Sequence, residues 1–238
     1  MASPYLTKQP VYLEDPSGRF DNILPYAEER LDKFNDYEGP QGRYTTKEAK
    51  KKLRKTRLNF PYTPTTSIIN SADYGEYVLT HSNFQQRAFN SHMNMEVNIT
   101  APMIVRSVEE AEYVYRASVW IRSTMKMSWL NDENPGMPPP ILRFNAHGIY
   151  ENVPCVVRDF TWNLDSDIDY LEIEDPTPFV LNLKDKRGQW LKSGKIIRVP
   201  VTNMFVLTLQ VTYSPKSIRD NFSVKDYLEG NLKNKGYV

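Results

Sequence analysis

Apolar and polar residues alternate with a period of two in two stretches of the chain, residues 95–100 and 204–213. This period is typical of a strand with one face buried and the other facing solvent. Ser214-Pro215 should end the second strand, because proline cannot continue the hydrogen-bond ladder. The apolar positions expected on the buried faces are Met95, Val97 and Ile99 in the first strand, and Phe205, Leu207, Leu209, Val211 and Tyr213 in the second.

One segment has the start signal and the spacing of a main helix. In Ser107-Val108-Glu109-Glu110 the serine can accept from the third helical amide while Glu110 reaches back, which is a capping box. The acidic residues also complement the positive end of the helix dipole. The helix is predicted to fade near Trp129 and to pack one face on a sheet. The residues predicted for that face are Val108, Ala111, Val114, Tyr115, Ile121 and Met125.

The remaining patterns predict short elements around this core. Residues 141–144 and 153–157 can pair as a hairpin across His147-Gly148. A short helix over residues 224–228 should end at Gly230, a favourable C-cap residue. The fold class is therefore predicted to be α+β: an antiparallel β-sandwich or partly closed barrel with one main flanking helix.

Residues 1–57 have a different composition from residues 58–238. Two turn signals, Asp15-Pro16-Ser17-Gly18 and Gly39-Pro40-Gln41-Gly42, flank a possible short helix around residues 26–31. Residues 47–57 then carry seven basic residues and one acidic residue. Such a segment has too little apolar surface to drive its own burial. We expect residues 1–57 to be an N-terminal extension or arm that orders against a partner, and residues 58–238 to be the compact domain.

Bulk properties narrow the class of protein. The chain has 238 residues, 40% of them hydrophobic, and a formal net charge of +1. That length allows one sizeable domain with an extension, and a near-neutral chain is not an electrostatic nucleic-acid binder as a whole. We expect no membrane segment and no signal peptide. The single cysteine, Cys155, excludes an internal disulfide, fits a reducing compartment and should be buried.

Candidate chemistry is sparse. His81, His92 and His147 are far apart and lack metal-ligand spacing. Asp165-Ser166-Asp167-Ile168-Asp169 lacks the glycine and the glutamate that an EF-hand needs, which favours a polar loop leading into a strand. Common nucleotide-binding, esterase and protease motifs do not occur in the sequence. The sequence therefore predicts no catalytic, cofactor-binding or metal-binding residue, no cofactor, and a role in shape and assembly.

The basic segment at residues 47–57 allows two interpretations. Its lysines and arginines could neutralise DNA phosphates in a salt-sensitive, sequence-independent way. However, no aromatic residue follows Tyr44 within the segment, so base stacking is unsupported. We favour a solvated arm, or one that docks on an acidic neighbouring subunit, for which residues 159–175 are a plausible complement.

An ordered set of short motifs resembles the tail-tube initiator, or tube-cap, proteins of contractile-tailed bacteriophage baseplates. The resemblance covers about residues 58–238. Its most specific part runs from Pro138-Pro139-Pro140 through Gly148 and Asn152-Val153-Pro154 to Asp167-Ile168-Asp169-Tyr170. The other parts are Phe60-Pro61-Tyr62-Thr63-Pro64, His81-Ser82-Asn83-Phe84, Ile99-Thr100, Glu109-Glu110-Ala111-Glu112-Tyr113, Met125-Lys126-Met127, Val199-Pro200-Val201, Tyr213-Ser214-Pro215 and Phe222-Ser223-Val224.

This resemblance implies a tail-tube-type fold, two packed antiparallel sheets with a flanking helix. It also implies a non-enzymatic virion protein that forms a hexameric ring on the baseplate hub and initiates tail tube polymerisation. The implied partners are sister copies, the hub protein, and the tube protein or a second initiator ring, with sheath or wedge proteins possible through residues 1–57. The implied location is the tail baseplate of the virion, and the host cytoplasm during assembly; DNA would only pass through the lumen.

Two alternatives remain open: the tail tube subunit itself, and a DNA-binding accessory protein that uses the basic segment. A closed ring needs complementary faces on the two sides of each subunit. Long strands such as residues 204–213 have ladder groups that must be paired or covered. We expect neighbouring copies to pair such strands and to join their sheets into one continuous lining, with an obligate interface well above roughly 2,000 Å².

Overall fold

The structure, a computed structural model, describes residues 11–17, 19–20, 23–24, 38–39, 42–43, 56–78, 80–81, 83–93, 95–127, 136–176, 194–232 and 235–237. In chain order the strands are β1 (Val11–Asp15), β2 (Glu38–Gly39), β3 (Gly42–Arg43), β4 (Thr56–Asn59), β5 (Thr65–Ile69), β6 (Ala72–Tyr77), β7 (Gln86–His92), β8 (Glu96–Ile104), β9 (Leu142–Ala146), β10 (Tyr150–Trp162), β11 (Tyr170–Glu174), β12 (Ile196–Pro200) and β13 (Thr202–Val211). The helices are α1 (Val108–Thr124), α2 (Pro215–Asn221) and α3 (Val224–Leu228).

Seven strands form one antiparallel sheet in the order β4-β1-β9-β10-β13-β8-β5. Three further strand pairs, β2–β3, β6–β7 and β11–β12, are two-stranded ribbons. The protein is thus mostly antiparallel sheet with a few helices, in agreement with the predicted α+β class. The two outermost strands of the sheet, β4 and β5, do not pair with each other, so the described strands do not close into a barrel.

The two alternating stretches form neighbouring strands at the centre of the sheet. Along β8 and β13 every second residue is buried, as predicted. Val97 lies opposite Leu209 and Ile99 lies opposite Leu207, so the buried side chains of the two strands share one face. The predicted β9–β10 hairpin is also present. His147 and Gly148 both have positive φ (51° and 67°), and Ile149 N–H donates to the Ala146 carbonyl, as in a type I′ turn.

Helix α1 begins where the sequence predicts but ends earlier. The Ser107 hydroxyl accepts from the Glu110 amide, while the Glu110 carboxylate accepts from the Arg106 amide, one residue beyond the expected partner. The last helical residue is Thr124 rather than a residue near Trp129. The Ser123 and Thr124 hydroxyls donate to carbonyls of the preceding turn, and such local bonds compete with helix continuation.

The buried face of α1 is wider than the predicted stripe. Val108 is exposed, which contradicts the prediction, because it lies in the first helical turn beyond the packed region. Tyr113 and Trp120 are among the largest fully buried side chains, and α1 contacts β10 and the β11–β12 ribbon. The residues buried on α1 are Ala111, Tyr113, Val114, Arg116, Ala117, Ser118, Trp120, Ile121 and Thr124.

A buried asparagine joins the β11–β12 ribbon to the sheet. The Asn203 side chain donates to the carbonyls of Met103 and Pro200 at 3.2 and 2.6 Å and accepts from the Trp162 indole N–H at 2.8 Å. One amide thus satisfies polar groups at the ends of β8, β12 and β10, which fixes the ribbon where α1 can pack on it.

The C-terminal segment folds back on the sheet. Short helix α3 is followed by Gly230, which has a positive φ of 77° as the predicted C-cap residue. Further along, Tyr237 stacks on Tyr213 with ring centroids 5.0 Å apart, and its hydroxyl bonds Ser217. A Cβ atom on Gly236 would lie 2.4 Å from the Asn152 carbonyl oxygen, so this residue passes close to β10.

The described part of residues 1–57 differs from the predicted arm. Val11 and Leu13 in β1 are fully buried, and β1 pairs with both β4 and β9 inside the sheet. Two apolar side chains are too few to give a distinct pattern in the sequence. They become buried because β1 lies between β4 and β9 in the sheet. Residues 16–55 therefore connect two adjacent strands. The possible helix at 26–31 and most of the basic segment lie outside the described residues.

One outer strand of the sheet is capped by helix α1. The Tyr113 hydroxyl accepts from the Asn59 amide at 3.1 Å and donates to the Asn59 carbonyl at 2.7 Å. Both backbone groups at this point of β4 are therefore satisfied without a further strand. This cap hinders pairing with another chain at the Asn59 end of β4.

Replacing Tyr113 with phenylalanine should lower the free energy of unfolding by about 1–3 kcal/mol, because two buried backbone groups lose their partner. Urea denaturation measures the change. Tyr115→Phe on the same helix is the matched control and should change stability by less than about 0.5 kcal/mol. Equal losses in the two variants would show that the Asn59 bonds contribute nothing.

Candidate assembly interface

Among the residues that the structure describes, no strand pairs with the outer side of β5. Residues Thr65–Ile69 pair only with β8, with Thr65 opposite Thr100 and Ile69 opposite Glu96. Alternate residues of an antiparallel edge strand turn their N–H and C=O groups outward. Thr65, Ser67 and Ile69 are exposed, and no described strand covers the outer edge of β5.

Strand β10 lies in the interior of the strand order, but among the described residues one of its two sides is unpaired along part of its length. Strand β9 pairs with β10 only as far as Cys155, whereas β13 pairs with β10 as far as Trp162. From Val156 to Trp162 the described residues provide no strand on the β9 side. A register shift at Arg158 marks a bulge within this half of β10, and bulges commonly re-aim an edge strand.

These two edges flank a block of four strands in the order β10-β13-β8-β5. The expectation that neighbouring copies would pair the strand at residues 204–213 is wrong: β13 pairs with β10 on one side and with β8 on the other. The open ladder groups belong instead to β5 and to the second half of β10. At the third edge, that of β4, only Asn59 is capped, so among the described residues β5 and the second half of β10 are the edges without any cap.

The β6–β7 ribbon continues the β5–β8 pair beyond the sheet. Met93 N–H donates to the Ser71 carbonyl at 2.9 Å, and this bond connects the two ladders. An isolated two-stranded ribbon is marginally stable in water. The ribbon nevertheless carries Tyr74 and Phe89 in an edge-to-face pair with centroids 5.8 Å apart, 56% and 60% exposed. This ribbon therefore presents aromatic surface that the described chain leaves uncovered.

Opposite charges flank the aromatic pair on the same face of the ribbon. Glu76 lies opposite Arg87, and the two side chains form an ion pair at 3.0 Å. On the other face the Asn90 side chain covers Gly75 and donates to Asp73 at 3.1 Å. The two faces thus differ: one carries the Tyr74–Phe89 pair, and the other carries Gly75, Asp73 and Asn90 together with the exposed ring of Tyr77.

The histidines singled out in the sequence are separated by the fold. His147 lies in the β9–β10 turn, His81 has a positive φ of 63° in the β6–β7 connection, and His92 lies at the end of β7. Asp165–Asp169 forms the polar loop that leads into β11, as predicted. Across the residues that the structure describes, no group of three or more His, Cys, Asp or Glu side chains could hold a metal ion.

Of the basic segment, only its last arginine has a described side chain. The Arg57 guanidinium lies 4.1 Å from the centre of the Tyr12 ring and 3.3 Å from Glu14. Both partners belong to β1, so this charge helps to hold β4 on the sheet. The acidic complement at residues 159–175 was predicted on a neighbouring subunit, and its contact with the basic segment stays a prediction.

Comparison with known proteins gives no relative. No protein-family model and no curated protein matches the chain. In the part of the chain that the structure describes, no helix is long and apolar enough to cross a membrane.

Cys155 is fully buried on β10, as predicted. Desolvation raises the pKa of its thiol to about 12, against a smaller opposing effect of the Arg143 charge.

The thiolate is the reactive species, so the folded protein should react with iodoacetamide at pH 8 at least about a hundredfold more slowly than the urea-unfolded chain. Mass spectrometry of quenched samples measures the two rates. Comparable rates would contradict the burial of this thiol.

Proposed function

We propose that this chain is a structural protein of a contractile bacteriophage baseplate, which forms a ring on the hub and initiates tail tube polymerisation. The sequence resemblance over residues 58–238 suggests this function. The structural observation that supports it is the pair of open edges, β5 and the second half of β10, at opposite sides of one four-strand block. Such edges are what a ring of sheets joined strand to strand requires.

The number of strands in the block favours this arrangement. Four antiparallel strands are an even number, so the two outer strands, β5 and β10, run in opposite directions. When identical copies are related by rotation about a ring axis, β10 of one copy meets β5 of the next in antiparallel orientation. The antiparallel alternation of strand directions then continues across every subunit boundary. The backbone N–H and C=O groups of both edges thereby find partners.

The tail-tube type of fold is part of this proposal. Strand β10 belongs to two blocks, β4-β1-β9-β10 and β10-β13-β8-β5, and changes from one to the other near Cys155. We propose that the second block lines a channel and that the first block, with α1, supports it from outside. The implied partners are the hub protein on one ring surface and the tube protein or a second initiator ring on the other, in the baseplate of the virion. Residues 16–55 would reach sheath or wedge proteins.

Cross-linking between engineered cysteines tests the ring. The chain's own cysteine is buried, so a Ser67→Cys/Thr161→Cys double variant places the accessible thiols on the two edges. With the hub protein of the same virus present, a short bis-maleimide should give a ladder of covalent species up to the hexamer. A Ser67→Cys/Glu109→Cys variant should remain monomeric, because Glu109 lies on α1 and on neither of the two edges. Absence of a ladder from the edge pair would refute strand-to-strand assembly.

The tail tube subunit itself would use the same two edges, so the two candidate functions differ only in how the purified chain assembles. Electron microscopy of the purified full-length chain, alone and with the hub protein of the same virus, distinguishes the two. We expect single rings that form on the hub. Indefinite tubes formed by the chain alone would assign it as the tube subunit.

A further inference from the structure

The second half of β10 carries an aromatic cluster that is only partly covered. Phe160 and Trp162 meet the fully buried Phe205 of β13 edge to face, with ring centroids 5.2 and 5.6 Å apart. The Trp162 indole also donates to Asn203, which holds its ring in one orientation. Phe160 and Trp162 pack on the core but remain partly exposed, and no described strand lies on the outer side of this half of β10. A strand added along β10 would extend their cover.

Strand β5 presents a matching row at the opposite edge of the four-strand block. Ile68 lies opposite the fully buried Val97 and packs on the core, yet it is only partly buried itself. Thr66 lies opposite Ile99, which is also fully buried, so it belongs to the same face. Both open edges therefore carry half-covered side chains on the core face of one sheet.

The composition of β5 favours the addition of another strand. Edge strands commonly carry a lysine, another charge or a proline that prevents pairing with other chains. The five residues Thr65–Ile69 include no charged residue and no proline, and four of them are β-branched. On the open half of β10 the charged residues are Arg158 and Asp159, at the bulge, and the residues after them are uncharged. Each edge thus offers an uncharged strand to a partner of the same kind.

We propose that β5 of one copy pairs with β10 of the next in a single register, in which Ile68 lies opposite Phe160 and Ser67 lies opposite Thr161. This inference rests on the ring proposed above and identifies the contacts that hold its subunits together. Ile68 of the neighbouring copy then covers the aromatic cluster from its open side. The four opposed pairs are Thr66–Trp162, Ser67–Thr161, Ile68–Phe160 and Ile69–Asp159.

The faces and the lengths of the two strands select this register. A shift by one residue would turn the core-face side chains of β5 to the opposite face, so only shifts by two residues are compatible with the sheet. One such shift places Ile68 at the Arg158 bulge and leaves three pairs within regular strand. The other places Ile68 opposite Trp162 and leaves two pairs, because β10 ends there. The proposed register keeps all four pairs within regular strand.

The closure of a ring favours the same register. Strands that close around a channel need a stagger between neighbouring strands, which adds up around the ring. Within one subunit Ser67 is level with Asn98, Thr208 and Asp159 through successive pairings. In the proposed register Asp159 meets Ile69 of the next copy, so the level advances from Ser67 to Ile69 at each subunit. The shifted register in which Asp159 meets Ser67 gives no stagger, and twisted strands do not close in that way.

A cysteine scan of the full-length chain tests the register. Thr161→Cys on β10 is combined in turn with Thr65→Cys, Ser67→Cys and Ile69→Cys on β5, all at exposed positions of one face. With the hub protein of the same virus present, mild oxidation with diamide should give a ladder of disulfide-linked oligomers for Ser67→Cys/Thr161→Cys. The other two double variants should give at least about tenfold less, because diagonal Cβ atoms, roughly 7–8 Å apart, are beyond disulfide reach.

A short bis-maleimide applied to the same three double variants reports separately on the ring. Because this reagent spans diagonal as well as direct distances, all three should give a ladder. Bis-maleimide ladders without a preference for Ser67→Cys in disulfide formation would overturn the register and leave the ring in place. Absence of ladders with both reagents would overturn the ring and the register together.

Discussion

The requirement that backbone hydrogen-bonding groups be satisfied governs this structure. A sheet edge presents a row of N–H and C=O groups that either meet a partner or remain exposed to water and to other chains. The protein treats its edges differently. At β4 a tyrosine hydroxyl from α1 binds both backbone groups of Asn59. At β5 and along the second half of β10 no such cap exists among the described residues. The contrast separates a closed side of the sheet from a side that is open to assembly.

The packing of the core stabilises the block of four strands between these edges. The alternating side chains of β8 and β13 fill the centre, and α1 covers the sheet through Tyr113 and Trp120. Asn203 fixes the β11–β12 ribbon against this helix through three hydrogen bonds. These contacts stabilise the block of four strands from within. Its outer strands therefore hold their shape without a neighbour, which keeps the two open edges preorganised for contact with one.

Sequence reasoning was accurate where the signal is local. The period of β8 and β13, the Ser107 cap, the His147-Gly148 turn and the Gly230 C-cap all depend on a few adjacent residues, and the structure confirms each of them. It failed where the answer depends on distant partners. The expectation that neighbouring copies would pair residues 204–213 was wrong, because a strand pattern shows which face is buried but not which strands lie alongside. The last helical residue, Thr124, also differs from the prediction near Trp129, because apolar spacing shows the buried face of a helix but does not fix where the helix ends.

The sequence predicted the type of interface, but not the strands that form it. Self-association through strands was expected from the sequence, but β5 and the second half of β10 could be identified only from the pairing registers. The burial of Val11 and Leu13 shows the same limit, since five residues of β1 within a polar segment give no distinct pattern. The aromatic residues of the β6–β7 ribbon were likewise visible in sequence, yet their exposure appears only once the ribbon is seen to project beyond the sheet.

The sharing of β10 between two blocks has a mechanical consequence. The first half of β10 pairs with β9, whereas its second half borders the open edge. The two halves are parts of one continuous strand, with no loop between them. Because a single strand belongs to both blocks, the orientation of the second block relative to the first is set by the backbone of β10 itself and not by a flexible connection.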